Sequence, residues 1–316
     1  MAIAVKEYEP LARHTVFNIG GSARFFIDIV SRDELSAAID FAVERHLPWR
    51  VLGAGSNVLI SDAGFNGAVI HPAGGSIAVQ KNRITAEAGV AMARVVAEAL
   101  KHGLSGFEWA VGIPGTIGGS VRGNAGCFGS EMSNVVAAIE VFNAKSGKIE
   151  EWPGTKAEFY YRDSVFKRRP ELVVLAVTLE LKPGNREDGE KLVRDYISHR
   201  DKTQDIGSRS AGCIFKNIPW KRRDIDAPEL VSRFPELSAF SGSHGIPAGF
   251  LVDRVGLKGR SLGGAKISER HGNFIINTGG ATAEDVLILI GIAKEHVHRT
   301  YGLLLEEEIQ YIGFEE

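Results

Sequence analysis

Apolar positions change their period several times along the chain, and each change marks an element. Leu35, Ala38, Ile39, Ala42 and Val43 recur at helical spacing, and Ser31-Arg-Asp-Glu34 ahead of them carries the serine and glutamate of a capping box. The pattern predicts a helix from Ser31 to about His46. A helical period returns from Ala91 to His102, where Gly103 is a natural C′ residue. It returns again from Thr282-Ala-Glu-Asp285 to about Tyr301, with Val286, Leu289, Ile290, Ala293 and Val297 facing a core. Glu187 to Lys202 reads as helical, and Pro247 suits a first helical position, with Phe250, Leu251 and Val255 on one face before Gly256.

Short apolar runs bounded by Gly, Asp and Asn predict strands at Trp49 to Leu52, Val58 to Ile60 and Ala68 to Ile70, the last two joined by tight turns. Val135 to Phe142 and Lys148 to Trp152 flank Lys145-Ser-Gly147 as a hairpin, and Leu172 to Leu181 is a further strand. Lys182 to Arg186 reads as a linker, and Gly212 to Asn217 as a short strand or loop. This interleaving predicts mixed α and β domains, the larger before residue 183 and the smaller after it.

Composition narrows the partners. The 316 residues are 44% hydrophobic and 24% charged, with a formal net charge of -2 and interspersed signs, which leaves no basic patch for nucleic acid or membrane lipid. Small-molecule partners are expected, with no obligate protein partner evident. The first residues lack a signal-peptide core and no apolar run approaches spanning length, so the expected place is the cytoplasm. The two cysteines, Cys127 and Cys213, form no CxxC motif, and neither a metal site nor a disulfide framework is expected.

Glycine carries the chemistry. Nine of the 37 glycines fall between Gly103 and Gly129, a density that implies positive φ angles or close approach of a ligand to bare backbone. A second cluster, Gly53-Ala54-Gly55-Ser56-Asn57, begins like a dinucleotide fingerprint. Val58 at the third glycine position, an extended continuation and no acidic residue about twenty positions on argue against that reading. As a pair, the two clusters instead offer successive backbone N–H groups to a pyrophosphate in strand-loop-strand geometry.

Seven ordered blocks extend the pattern over nearly the whole chain. His14 to Ile29, Gly53 to Ile70, Gly112 to Gly129, Tyr161-Arg-Asp-Ser-Val-Phe166 and Ser210-Ala-Gly-Cys-Ile-Phe-Lys-Asn217, followed by Ala248 to Asn277 and Gly302 to Ile309, resemble the UDP-N-acetylenolpyruvoylglucosamine reductases, also called UDP-N-acetylmuramate dehydrogenases. The resemblance implies an α+β chain. An FAD-binding domain of the vanillyl-alcohol-oxidase (PCMH) type would be made of two α/β subdomains at 1–72 and 73–185, and a smaller C-terminal α+β substrate-binding domain would occupy 186–316. It implies non-covalent FAD, NADPH as reductant, and conversion of UDP-N-acetylglucosamine enolpyruvate to UDP-N-acetylmuramate for peptidoglycan. Cofactor contacts would come from Gly53, Ala54, Gly55, Ser56, Asn57, Gly112, Ile113, Pro114, Gly115, Ile117, Gly118, Gly119 and Asn124.

Matching the blocks residue by residue places the catalytic roles. Arg162 would grip the substrate carboxylate, where charge develops as hydride reaches the methylene carbon. The family's usual serine proton donor is replaced by Cys213, whose thiol, with a reference pKa of about 8.5, releases a proton more readily than an alcohol. In the run Glu306-Glu307-Glu308 the family's glutamate falls on Glu308, with Glu306 as the competitor because strand alternation points both one way. Tyr161, Lys216 and Asn217 match substrate-binding positions, although Ile218 displaces the usual proline after the asparagine. His271 suits a substrate contact and a structural role equally and stays outside the catalytic set, and Cys127 is expected to be a packing residue. The short chain between Phe166 and Leu181 resembles the branch lacking the substrate-capping tyrosine loop. Two other readings are an oxidase of small alcohols or lactones on the same fold and an inactive nucleotide-sugar-binding relative.

Overall fold

Ser22–Ile29 and Phe65–Pro72 run side by side as parallel strands, Phe26 opposite Val69 and Ile27 opposite Ile70, in the computed structural model, which describes residues 3–314. Ala68, Val69 and Ile70 are all fully buried, as an uninterrupted apolar run in a parallel sheet must be. Val5–Pro10 and Trp49–Val51 complete this four-stranded sheet at its two edges. Helix α1, Arg32–Glu44, crosses over it and lays Leu35, Ala38 and Ile39 on Ile27 and Ile70. Its cap departs from the standard box by one residue. Ser31 Oγ accepts from Glu34 N at 3.2 Å, but the Glu34 carboxylate accepts from Val30 N at 2.7 Å.

A second sheet is antiparallel throughout, in the order Lys148–Pro153, Val136–Asn143, Leu172–Glu180, Arg83–Glu87, Ile77–Gln80. Helices α2 (Met92–Lys101), α3 (Ile117–Arg122) and α4 (Val165–Arg168) share its core, where Val95, Ile117, Val121 and Phe166 meet Ile84, Val177 and Leu179. The expected hairpin is present, its strands in register from Ala138↔Pro153 to Asn143↔Lys148. Lys182-Pro183, expected as linker, pairs with Leu104-Ser105, and Gly184 N donates to Gly103 O. Helix α5, Arg186–Thr203, then packs its Val193 and Tyr196 on the same core.

The chain divides into two compact units along lines that cut across the expected boundaries. The first comprises Met1–Glu9, Ser22–Gly55 and Phe65–Lys202, so α5 lies with the sheets and not with the C-terminal part. The second takes Pro10–Gly21 and Ser56–Gly64 in addition to Thr203–Glu316. Val58–Ile60 and Ala68–Ile70, read from the sequence as consecutive strands on tight turns, therefore do not pair with each other. Val58–Ile60 pairs in parallel with Gln310–Ile312, near the other end of the chain. Three residues carry too little periodicity to reveal a partner so distant.

In the second unit, helices α6 (Ala227–Arg233), α7 (Ala248–Arg254) and α8 (Ala283–Tyr301) accompany a small antiparallel sheet of Ser261–Leu262, Ala265–Ile267 and Ile275–Asn277. The five core positions predicted on α8 are all buried, and Thr282 with Asp285 forms the capping box at its start. Pro247 is the N-cap of α7, one place earlier than expected, because its ψ of 124° is extended. Among the described residues no helix is long and apolar enough to cross a membrane, and no group of three or more His, Cys, Asp or Glu side chains could hold a metal.

Candidate active site

The glycines between Gly103 and Gly129 have different reasons to be glycine. Gly103, φ 61°, ends α2, and Gly126 sits where a Cβ would come within 2.7 Å of Glu131 Cβ in a two-residue hairpin. A Cβ on Gly118 would lie 2.7 Å from Ala88 Cβ, so α3 is glycine there in order to pack. The first N–H groups of α3 are engaged inside the protein, Ile117 N to Val90 O and Gly118 N to Ala88 O, while Gly119 N reaches Thr116 Oγ1. The helix end is thus spent on its own fold, and a ligand must be met by the loops beside it.

Two of those loops touch. A Cβ on Gly53 would fall 2.7 Å from Thr116 Oγ1, so the loop after Trp49–Val51 lies directly against the start of α3. Ala54, Gly112, Pro114 and Gly119 are exposed around this contact, with Gly55, Gly112 and Gly115 at positive φ. Ser56 and Asn57 continue the first loop into the second unit. There Asn57 Nδ2 donates to Glu308 O and Asn57 O accepts from Gln310 N, so part of this residue's bonding is given to the sheet.

Arg200 on α5 is a residue the sequence did not single out. It is only 9% exposed, its Nε has no hydrogen-bond partner among the described residues, and it lies 3.4 Å from where a Cβ on Gly112 would be. Its Nη1 is 3.9 Å from Cys127 Sγ, a weak acceptor for a buried cation. A buried guanidinium donor without an acceptor, at a loop of bare backbone, suits an anionic or carbonyl-rich ligand. No periodicity could have marked Arg200; its meaning comes from Gly112, far away in the chain.

Arg162 sits on a two-residue turn. Tyr160 and Asp163 exchange both backbone hydrogen bonds, at 3.0 and 3.1 Å, and Arg162 has φ 55°. Glycine is the usual occupant of such a backbone, and an arginine held there carries strain of the kind found at functional sites. Its guanidinium carbon lies 5.6 Å from the ring centroid of Tyr161, which is exposed. Asn124, expected at the cofactor, is fully buried with both ends of its side chain in use: Nδ2 donates to Tyr160 O at 2.9 Å and Oδ1 accepts from Ser133 N at 3.0 Å. We therefore read Asn124 as serving the Arg162 turn.

Cys213, Lys216, Asn217 and Glu308 belong to the second unit. Gly212, φ 73°, turns the chain into Cys213, which is half-buried and bridges to Phe274. Asn273 pins this segment: its Oδ1 accepts from Phe215 N and its Nδ2 donates to Phe215 O, both at 2.8 Å. His271 Nδ1 accepts from Asn273 N at 3.2 Å, and burial pushes the imidazole pKa down, which keeps the ring in its neutral, accepting form. On the other side Glu308 N donates to Ile214 O at 2.7 Å and Lys216 N to Glu306 O at 2.8 Å. Asn217 Oδ1 accepts from Ala248 N at 3.2 Å, at the start of α7.

The three glutamates separate by environment. Glu306 is exposed, 3.6 Å from Lys216 Nζ, and Glu307 is bound to Lys294 of α8 at 2.9 Å. Glu308 is half-buried, its backbone N–H donating to Ile214 O and its carbonyl accepting from Asn57 Nδ2. Glu308→Gln is expected to lower turnover by about a hundredfold or more, the scale of a lost acid–base group, and Glu306→Gln by less than about twofold. Steady-state rates of the two variants check this, and the reverse order would assign the role to Glu306.

Residues 23–152 match the model of an FAD binding domain, which fits the glycine loops and the buried guanidinium of Arg200. The class is thereby an FAD-dependent oxidoreductase. Residues 203–312 match the C-terminal domain of UDP-N-acetylenolpyruvoylglucosamine reductase. The reductase of Anoxybacillus flavithermus is 36% identical over 98% of this chain and 94% of its own, and that of Carboxydothermus hydrogenoformans 38% identical over 98% and 94%. The crystal structure of the reductase from Thermus caldophilus superposes with a TM-score of 0.75 at 31% identity, covering 99% of both chains. The chain belongs to the UDP-N-acetylenolpyruvoylglucosamine reductase family.

Proposed function

We propose that this protein reduces UDP-N-acetylglucosamine enolpyruvate to UDP-N-acetylmuramate at the expense of NADPH, in the cytoplasm, as a step toward peptidoglycan. The observation that carries this reading is the likeness to named reductases over almost the full length of both chains. FAD, when bound, relays two electrons from NADPH to the enolpyruvyl double bond. The loops at Gly53–Gly55 and Gly112–Gly115 would hold it through bare backbone, and Arg200 Nε would donate to one of its acceptors.

The chain's own residues do the rest. Arg162 would clamp the substrate carboxylate with a planar, two-pronged donor and stabilise the negative charge that grows there as the methylene carbon gains hydride. Cys213 Sγ would give its proton to the carbon bearing the carboxylate, completing the saturated lactyl ether. Glu308 would orient the carboxylate and the transferred proton from the segment beside Ile214. Lys216, with its charge near Glu306, suits the diphosphate of the UDP group, and Tyr161 offers an exposed ring at the Arg162 turn.

NADPH oxidation followed anaerobically, with and without the enolpyruvyl UDP-sugar, tests the reading. Consumption is expected to depend on the sugar substrate and to need no oxygen. Oxygen-dependent consumption alone would indicate the oxidase alternative, and no consumption the inactive binder.

A further inference from the structure

The turn that presents Arg162 is moored at both ends to one short piece of chain. Before the arginine, Asn124 Nδ2 donates to Tyr160 O at 2.9 Å; after it, Ser164 Oγ donates to Arg122 O at 2.7 Å. Asn124 and Ser164 are both fully buried. Both anchor points, Arg122 and Asn124, lie at the end of α3, whose beginning rests against Gly53 in the cofactor loops. Lys167 Nζ donates to Arg162 O at 2.7 Å, and Arg168 Nη1 meets the Asp163 carboxylate at 2.5 Å.

A turn with a non-glycine residue at φ 55° relaxes unless its surroundings over-determine it. We infer that Asn124 and Ser164 are positioning residues that hold the Tyr160–Asp163 turn in its strained form and thereby fix the Arg162 guanidinium relative to the cofactor loops. The inference rests on the reading that Arg162 grips the substrate carboxylate. Neither residue touches substrate in this account; each acts through a backbone carbonyl next to the turn.

The test uses the FAD-loaded enzyme and separates its two half-reactions by anaerobic stopped flow. Asn124→Ala and Ser164→Ala are each expected to slow recovery of the flavin absorbance on adding the enolpyruvyl UDP-sugar by about tenfold, the coupling expected of groups in one network. Bleaching of the flavin by NADPH, and FAD content per chain, should stay within about twofold, since a change confined to Arg162 leaves them alone. In an Arg162→Ala background the same substitutions should add nothing further. Slowing of both half-reactions alike, or full additivity with Arg162→Ala, would overturn the positioning role. Should Asn124→Ala fail to fold, Ser164→Ala carries the same test, with Ser164→Thr expected to restore the rate. If Arg162→Ala itself left recovery unchanged, the failure would lie in the reading of Arg162.

Discussion

Arg162→Gly is expected to lower turnover by about a hundred- to a thousandfold, the cost of removing one group aimed at developing charge, while leaving thermal stability almost unchanged. The second half follows from the backbone. At φ 55° an arginine carries about 1 kcal/mol or more of strain that glycine does not. Against this, glycine adds freedom to the unfolded chain, a cost of about 0.5–1 kcal/mol. The two nearly cancel, so the melting temperature should move by no more than about 3 °C in a chain of this size. Steady-state turnover and a thermal unfolding scan on the same preparation check both halves. A variant that turned over at the wild-type rate would remove Arg162 from the chemistry, and one that unfolded far earlier would make the turn a structural device instead.

Cys213→Ala is expected to lose about a hundredfold or more of the rate, the scale of general acid catalysis, and Cys213→Ser to keep much of it. A hydroxyl in place of the thiol preserves a transferable proton at the same backbone position, fixed by Asn273 on one side and Glu308 on the other. Single-turnover recovery of the flavin absorbance with the enolpyruvyl UDP-sugar measures the step concerned. Equal rates for wild type and Cys213→Ala would rule out the thiol as proton donor.

How far the sequence reveals this molecule depends on how local the physics is. Helices α1 and α8 could be read because their caps and apolar stripes are contained within their own residues. The hairpin around Lys145-Ser-Gly147 was legible for the same reason. Interchange of Ser56–Gly64 into the second unit was not, because Val58–Ile60 owes its place to a strand at the opposite end of the chain. Arg162, Cys213 and Glu308 are singled out as candidates only through family blocks, since no period or composition marks a single side chain. Their supports are not legible as such, and the sequence offers Asn124 as a cofactor contact instead. Asn124, Ser164 and Asn273 act on backbone groups remote in sequence, and Arg200 gains its interest from a missing acceptor. The glycine-rich stretch was legible as a site of close approach, but only part of it remains for a ligand once α2, α3 and the small hairpin have taken theirs.

The parallel pairing of Val58–Ile60 with Gln310–Ile312 also orders events in time. During synthesis every residue of the first unit has been made once Lys202 is joined. The second unit has no such freedom, because Phe17, Ile19 and Leu59 belong to a core whose other members run from Ala211 to Ile309. Contacts between segments so far apart form slowly, since a long loop must close before they reward it. An early-made stretch of apolar chain therefore waits until Gln310–Ile312 has been made, and a chain cut short before Gln310 would leave Val58–Ile60 with no strand to receive it.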